Sequence, residues 1–242
     1  MERNLIIIPT YNEIENIRSI VSAVLDQDPS FHVLVVDDGS PDGTAAAVKE
    51  MQQTNADRLF MLEREGKLGL GTAYIAGFKY GLAEGFDFIY EMDADFSHPV
   101  SALKVMYALC RTPDVDIVVG SRYVKGGDIS NWSMDRLVLS YGASLYVRLF
   151  TGMGVKDPTA GFVCYKRKVL EAMDLDSIKF IGYAFQIEMK YYAVQLGFNI
   201  AEVPITFIDR ELGTSKMNIS IFREAVLGVL SMRLRKYHRK ST

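Results

Sequence analysis

The stretch Phe86-Asp87-Phe88-Ile89-Tyr90-Glu91-Met92-Asp93-Ala94-Asp95-Phe96-Ser97-His98-Pro99 mixes apolar side chains with acids and closes on two carboxylates one residue apart. Its apolar part predicts a strand, and Ser97 and Pro99 predict that the strand has ended. Side chains along a strand repeat direction every two residues, so Asp93 and Asp95 are expected to point the same way. Like charges side by side repel and are expensive to desolvate, and a cation is the usual reason to tolerate them. Oxygen donors suit Mg²⁺ or Mn²⁺, which keep several waters and take the rest of their shell from substrate phosphates. Asp93 and Asp95 are therefore the candidate metal and diphosphate site; a solvated loop with two idle acids is the plainer alternative.

Towards the N-terminus, Leu5 to Pro9 is a short apolar run rich in isoleucine, which suits a parallel strand buried on both faces. Thr10-Tyr11-Asn12-Glu13 then opens a helical pattern with Ile14, Ile17, Val21, Val24 and Leu25 on one side. His32 to Val36 reads as the next strand, ending in the acidic turn Asp37-Asp38-Gly39-Ser40-Pro41-Asp42-Gly43, and Thr44 to Thr54 as a helix. Arg58 to Leu62 is a third strand and runs into Glu63-Arg64-Glu65-Gly66-Lys67-Leu68-Gly69-Leu70-Gly71, where close glycines permit backbone approach to a ligand. A helix is expected from Thr72 to Glu84, another from Ser101 to Cys110, and a fifth strand from Val115 to Gly120.

Strands alternating with helices across short joins predict an α/β fold: a Rossmann-like, open, mostly parallel sheet with helices on both faces. Ligands in such sheets sit beyond the carboxyl ends of the strands, which is where Asp37-Asp38, Glu63 and Asp93-x-Asp95 would converge. The first turn lacks G-x-G-x-x-G and the chain lacks G-x-x-x-x-G-K-[ST], which weighs against a dinucleotide domain and a P-loop. Asp37 or Asp38 instead suits a hydrogen bond from the base or ribose of a nucleotide.

Beyond Arg122, Gly126-Gly127-Asp128 reads as a turn, and Met134 to Thr151 as a long apolar helix that could cover the core, a subunit interface or lipid, the first two preferred. Asp157-Pro158-Thr159-Ala160-Gly161-Phe162 is a polar turn, Val163-Cys164-Tyr165 an expected edge strand, Ala184 to Leu196 a helix and Ile200 to Pro204 extended. Arg210 to Lys216 is a glycine-bearing basic loop: either a solvated connection or a lid whose cations clamp a diphosphate. From Ile219 an amphipathic helix leads into Arg233, Arg235, Lys236, Arg239 and Lys240, a cluster suited to anionic headgroups, to a soluble tail or to the negative end of a helix dipole. The expected domains are a catalytic unit over 1–216 and a C-terminal amphipathic basic helix over 217–242, packed on it or extending from it.

Composition excludes several classes. With 49% apolar and 24% charged residues and a formal net charge of -3, the chain reads as an ordinary folded protein with no nucleic-acid footprint. Cys110 and Cys164 match no metal or redox spacing, and the 3 histidines include no H-E-x-x-H. No apolar run is long enough to span a bilayer, and Leu5 to Ile8 is too short for a signal peptide, so a cytoplasmic location or a cytoplasmic membrane face is expected.

Six blocks resemble the dolichyl-phosphate, or polyprenyl-phosphate, mannosyltransferases among the inverting GT-A glycosyltransferases. They are Pro9 to Glu13, Val35 to Thr44, Asp93 to Pro99, Gly120-Ser121-Arg122-Tyr123, Asp157 to Phe162 and Arg210 to Lys216. The resemblance implies a GT-A fold and transfer from GDP-mannose to dolichyl or another polyprenyl phosphate. It implies a nucleotide-sugar site of Pro9, Tyr11, Glu13, Asp37, Asp38, Asp93, Ala94, Asp95, Arg210 and Lys216, with Mg²⁺ or Mn²⁺ on Asp93 and Asp95. Arg122 is similar to the family's arginine for the acceptor phosphate, expected to bind it in bidentate fashion, and the catalytic set would be Asp93, Asp95, Arg122, Arg210 and Lys216. Ser97 stands where some relatives carry a glutamine that can join the metal shell, so a water is expected in its place. His98 precedes a proline and reads as structural; a phosphate acceptor is already largely dianionic at neutral pH and needs no protein base. Many relatives carry C-terminal membrane helices that this chain lacks, so surface helices or a membrane-anchoring partner subunit would bring it to lipid. The alternatives are a UDP-glucose-dependent polyprenyl-phosphate glucosyltransferase or another GT-A sugar transferase and, in a different class, a non-catalytic nucleotide-sugar-binding adaptor.

Overall fold

The structure is a computed structural model that describes residues 2–182, 184–209 and 228–240. In chain order its first half runs β1 (Asn4–Thr10), α1 (Ile17–Leu25), β2 (Phe31–Asp37), α2 (Thr44–Asn55), β3 (Leu59–Glu63), α3 (Leu70–Ala83), β4 (Phe88–Glu91), α4 (Ala102–Cys110) and β5 (Ile117–Ser121). Then follow β6 (Asp128–Ser130), α5 (Met134–Thr151), β7 (Val163–Lys166), α6 (Arg167–Ala172), α7 (Ala184–Gln195), β8 (Ile200–Pro204) and β9 (Thr206–Ile208).

Among the described residues the main sheet has seven strands in the order β3-β2-β1-β4-β7-β5-β8, and only β7 runs antiparallel to its neighbours. The alternation in β1 explains why it lies inside: Ile6 and Ile8 face one core layer and Leu5 and Ile7 the other, all fully buried. Helices α1, α2 and α4 cover the first layer and α3, α6 and α7 the second. Gly77 and Gly81 let α3 lie close to the sheet, because a Cβ at either would come within 2.8 Å of Ile7 or Ile89. The open α/β sheet with helices on both faces is thus the one expected.

Three expectations change. Val163 to Tyr165 is no edge strand: β7 lies between β4 and β5, pairing Glu91 with Val163 and Val119 with the same residue. A short apolar run reads alike at an edge or inside, and only the pairing separates them. Of the expected turn Gly126-Gly127-Asp128, Asp128 instead opens β6, which pairs with β9 in a small parallel sheet. Finally, α5 covers little of the core: Ser144 and Val147 are its buried residues, whereas Met134, Val138, Leu139, Tyr141, Leu145, Leu149 and Phe150 are exposed. Its ends are well specified, with Ser133 accepting a hydrogen bond from the Arg136 amide at one and left-handed Gly152 at the other.

The C-terminal stretch 228–240 lies against α7. Buried Glu188 accepts hydrogen bonds from Arg235 Nη1 (2.7 Å) and the Tyr237 hydroxyl (3.2 Å), and from the amides of Lys179 and Phe180. Arg233 donates to the Phe150 carbonyl and Arg239 to that of Leu196, so three of the five clustered cations are tied to the protein.

Candidate active site

Because β1, β2, β3, β4, β5 and β8 run the same way, their carboxyl ends share one edge of the sheet. Beyond β1 come Tyr11 and Glu13, beyond β2 Asp38, beyond β4 Asp93 and Asp95, and beyond β5 Arg122. Arg210 and Lys216 lie outside the described residues.

The β1–α1 loop is tied to the β2–α2 turn through its own amides. Asn12 N–H donates to Ser40 Oγ (3.0 Å), Glu13 N–H to Thr44 Oγ1 (3.1 Å) and Ile14 N–H to Asp42 Oδ2 (3.1 Å). Asp42 Oδ1 also accepts from the Thr44 amide and hydroxyl, which starts α2. Three consecutive amides are consumed internally, so this loop cannot cradle phosphates as a P-loop does, and it offers side chains instead. Pro9 is half-buried at the end of β1, and Lys67 Nζ sits 4.8 Å from the Tyr11 ring centroid.

Asp37 is 1% exposed, and its carboxylate accepts from Thr10 Oγ1 (2.8 Å) and from the Ser40 amide and hydroxyl (2.9 and 2.6 Å), so it holds the turn. Adjacent Asp38 is gripped at Oδ1 by Arg64, whose Nε lies at 2.6 Å and Nη2 at 2.5 Å. Arg64 Nη1 reaches Thr72 Oγ1 (2.8 Å), whose hydroxyl donates to the Gly69 carbonyl. One arginine thereby joins the acid after β2 to the glycine-bearing segment before α3, a role sequence reasoning missed.

The acid pair follows the strand and is not part of it. β4 ends at Glu91, its last paired residue, and the chain then turns through Phe96 at a φ of 59°. The two-residue alternation that was to align Asp93 with Asp95 therefore no longer applies; the turn sets their directions. Tyr74 hydroxyl donates to Asp93 Oδ1 (3.4 Å) and Ser97 N–H to Asp95 Oδ1 (3.1 Å), while Ala94 between them is buried. Asp93 N–H donates to His98 Nδ1 (3.1 Å), which leaves the ring proton on Nε2. Burial outweighs nearby Asp93 and Asp95 and holds the His98 pKa below its ordinary value, so this histidine is neutral and stacked on Phe162 at 5.0 Å, as a structural residue would be.

No cluster of three or more His, Cys, Asp or Glu ligands occurs among the described residues, so a cation here would have two carboxylates and complete its shell elsewhere. The local chemistry fits: Ser97 Oγ, next to Asp95, is buried without a hydrogen-bond partner. Oxygen-only donors with open positions suit Mg²⁺ or Mn²⁺.

Arg122 is held by Asp157. Its amide donates to Oδ2 (3.0 Å), Nε to Oδ2 (2.7 Å) and Nη2 to Oδ1 (2.7 Å), and Nη2 also reaches Thr159 Oγ1 (2.9 Å). The Nε–Nη2 fork expected to meet a phosphate is thus committed to Asp157, and Nη1 is the nitrogen outside that pair. Burial alone would raise the Asp157 pKa, but Arg122's hydrogen bonds and charge outweigh it and hold the carboxyl below its ordinary range. Around the guanidinium stand Tyr123, Trp132 and Phe207 at 5.2, 5.7 and 5.7 Å. Arg136, at the start of α5, stacks on the same Trp132 at 4.0 Å and pairs with Asp209 at 2.6 Å. Trp132 and Phe207 went unnoticed in sequence because β6, just before Trp132, and β9, which contains Phe207, are only three residues long each.

A buried polar chain runs behind the cleft. Glu91 Oε1 accepts from the Tyr165 hydroxyl (2.8 Å) and Oε2 from Gln186 Nε2, and Lys190 Nζ donates to Gln186. Burial pushes the Glu91 carboxyl up and the Lys190 ammonium down, each countered by the other's charge.

Comparison with known proteins agrees with this geometry. Residues 5–174 match the family described as glycosyl transferase family 2. The chain is 47% identical over 235 residues to the polyprenol monophosphomannose synthase of Mycolicibacterium smegmatis, covering 97% of this chain and 88% of that protein. It is 46% identical over 227 residues to the undecaprenyl-phosphate mannosyltransferase of Micrococcus luteus, covering 94% and 92%. A mannosyltransferase from Pyrobaculum calidifontis in complex with GDP-Man and Mn²⁺ shares the fold, with a TM-score of 0.59 at 18% identity over 95% of this chain and 69% of that one.

An open α/β sheet with an acid pair beyond its central strand, in a chain matched by that family, defines an inverting GT-A glycosyltransferase. Within this class, the chain belongs to the polyprenyl-phosphate mannosyltransferases of glycosyl transferase family 2.

Proposed function

We propose that this protein transfers mannose from GDP-mannose to the phosphate of a dolichyl or other polyprenyl phosphate, giving a β-linked polyprenyl mannosyl phosphate and GDP. The observation that carries this reading is the 47% identity, over 97% of the chain, with a polyprenol monophosphomannose synthase.

In this reading Pro9, Tyr11, Glu13 and Asp38 surround the guanosine, with Asp38 pre-set by Arg64. Asp93 and Asp95 hold Mg²⁺ or Mn²⁺, which supplies positive charge to the donor diphosphate. Arg210 and Lys216 are assigned to the same phosphates on sequence grounds. The Nη1 side of Arg122 meets the acceptor phosphate, and Asp157 fixes the guanidinium plane from behind. A phosphate oxygen attacks the anomeric carbon from the face opposite the diphosphate. The new C–O bond forms as the bond to the GDP β-phosphate breaks, and the electron pair leaves with GDP, so the configuration inverts. The acceptor carries little proton at neutral pH, and neutral, buried His98 is not required as a base.

The lipid approaches along α5. Tyr123 hydroxyl donates to Ser140 Oγ at 2.7 Å, which ties the Arg122 segment to this helix, whose exposed apolar residues run from Met134 to Phe150. No described helix is long and apolar enough to cross a membrane. On the exposed apolar residues of α5 we place the protein peripherally on the cytoplasmic face of a membrane, with the α5 face against lipid.

The test is transfer of radiolabelled sugar to a short polyprenyl phosphate by the purified protein without a partner, comparing GDP-mannose with UDP-glucose. Mannosyl lipid from GDP-mannose is the expected product. Glucosyl lipid would mean the donor is wrong, and donor binding without either product would favour an adaptor.

A further inference from the structure

The buried chain behind the cleft has no part in the transfer chemistry, yet it joins the two halves that perform it. Lys190 of α7 is fully buried, and its ammonium donates to the carbonyl of Ala160 (2.6 Å) and to the carbonyl and side-chain oxygens of Gln186 (3.2 and 3.3 Å). Those acceptors are neutral oxygens. Gln186 Nε2 then donates to Glu91 Oε2, and the Tyr165 hydroxyl closes the other carboxylate oxygen. Glu91 is the last residue of β4, two before Asp93. Ala160 lies in the turn that begins at Asp157, and its amide donates to the Asp157 carbonyl at 3.3 Å. That same Asp157 grips Arg122. A single α7 turn therefore touches both the strand that ends at the acid pair and the turn that aims the arginine.

An apolar side chain could fill the space at lower cost than a desolvated ammonium and carboxylate, since replacing buried charges by packed hydrophobes is often neutral or stabilising. What the charged arrangement adds is direction. Hydrogen bonds of fixed length and angle hold one backbone carbonyl of the turn against one carboxylate of the strand, as general packing does not.

We infer that Lys190, acting through Gln186 and Glu91, is a positioning residue that sets the register between the acid-pair half of the cleft and the turn that orients Arg122. The inference deepens the reading above and rests on its assignment of Arg122 to the acceptor phosphate. Lys190 touches neither substrate; it acts by holding the Ala160 carbonyl and, through it, Asp157.

The experiment uses the full chain with Lys190→Met, Lys190→Arg and the charge-neutral double variant Glu91→Gln/Lys190→Met, which covers the case in which the single variant fails to fold. Melting temperature, calorimetric affinity for GDP with Mn²⁺, and kcat and KM for a short polyprenyl phosphate are measured for each. The expected result for the folded methionine variants is GDP affinity within about twofold of the parent, with the acceptor KM raised tenfold or more. Adding Asp157→Asn should then raise KM little further, because both changes release the same turn. An unchanged acceptor KM in a folded variant, or a parallel loss of GDP affinity and acceptor use, overturns the inference. Arg122→Ala run alongside separates the two levels. If it raises KM while Lys190→Met does not, the positioning role fails alone; if it leaves KM unchanged, the acceptor assignment fails and the positioning role falls with it.

Discussion

Replacing Asp157 by asparagine removes the charge from the most enclosed ion pair of the cleft while keeping the side-chain shape. The Asp157 side chain is 0% exposed and that of Arg122 10%, and three hydrogen bonds from Arg122 end on the carboxylate. Removing one partner of a buried pair leaves the other charge uncompensated, which costs about 3–5 kcal/mol. In a chain of this size each kcal/mol moves the melting point by roughly 2–4 °C, so a fall of roughly 6–20 °C is expected.

The dependence on pH supplies a second reading of the same pair. The folded carboxyl titrates below its ordinary value of 3.8, because Arg122 outweighs the effect of burial. A depressed folded pKa means that the stabilisation is fully present above the ordinary value and is lost as pH falls through the lowered one. Urea unfolding of the parent and of Asp157→Asn should therefore differ by a constant amount near neutrality, and the difference should shrink once the pH drops below about 4. A difference at pH 7 of less than about 1 kcal/mol would place the pair with exposed ion pairs, and the reasoning would fail. A difference that grows on acidification would refute it equally.

Asp95→Ala should fold normally and lose transfer, as measured by mannose incorporation into short polyprenyl phosphates; near-normal turnover by the folded variant defeats the metal assignment. Gly77→Ala puts a Cβ 2.7 Å from an Ile7 methyl, so urea unfolding should show a loss of about 1–3 kcal/mol from overpacking, and a neutral outcome would mean that α3 can lift from the sheet. Arg235→Ala removes the cation from buried Glu188, with an expected loss of about 3 kcal/mol. Hydrogen exchange should then rise in residues 228–240, and unchanged protection there would show that the segment is held by its apolar contacts alone.

Much of the cleft was legible because its parts are local. An apolar run followed by Asp93-Ala94-Asp95, or by Asp37-Asp38-Gly39, signals a strand end wherever it occurs, and parallel topology sends such ends to one edge. The aim of each side chain was not legible. Asp37 and Asp38 are neighbours of one chemistry, yet one ties off Thr10 and Ser40 while the other pairs with Arg64. Nothing in the dipeptide distinguishes them. Arg122 and Asp157 are 35 residues apart in sequence, and only the pairing of β5 with β7 brings their segments together.

By itself the amino-acid sequence determined the class of fold and the placement of acids at the strand ends, because hydrophobic period, turn residues and acid spacing act over a few positions and need no distant partner. Tertiary structure alone decided that β7 enters the sheet between β4 and β5, that α5 turns its apolar face outward, and that Lys190 spans from Gln186 to Ala160. Each of these depends on contacts between segments far apart in the chain. Such contacts carry no local signal, since the same residues would satisfy the same short-range rules in another arrangement.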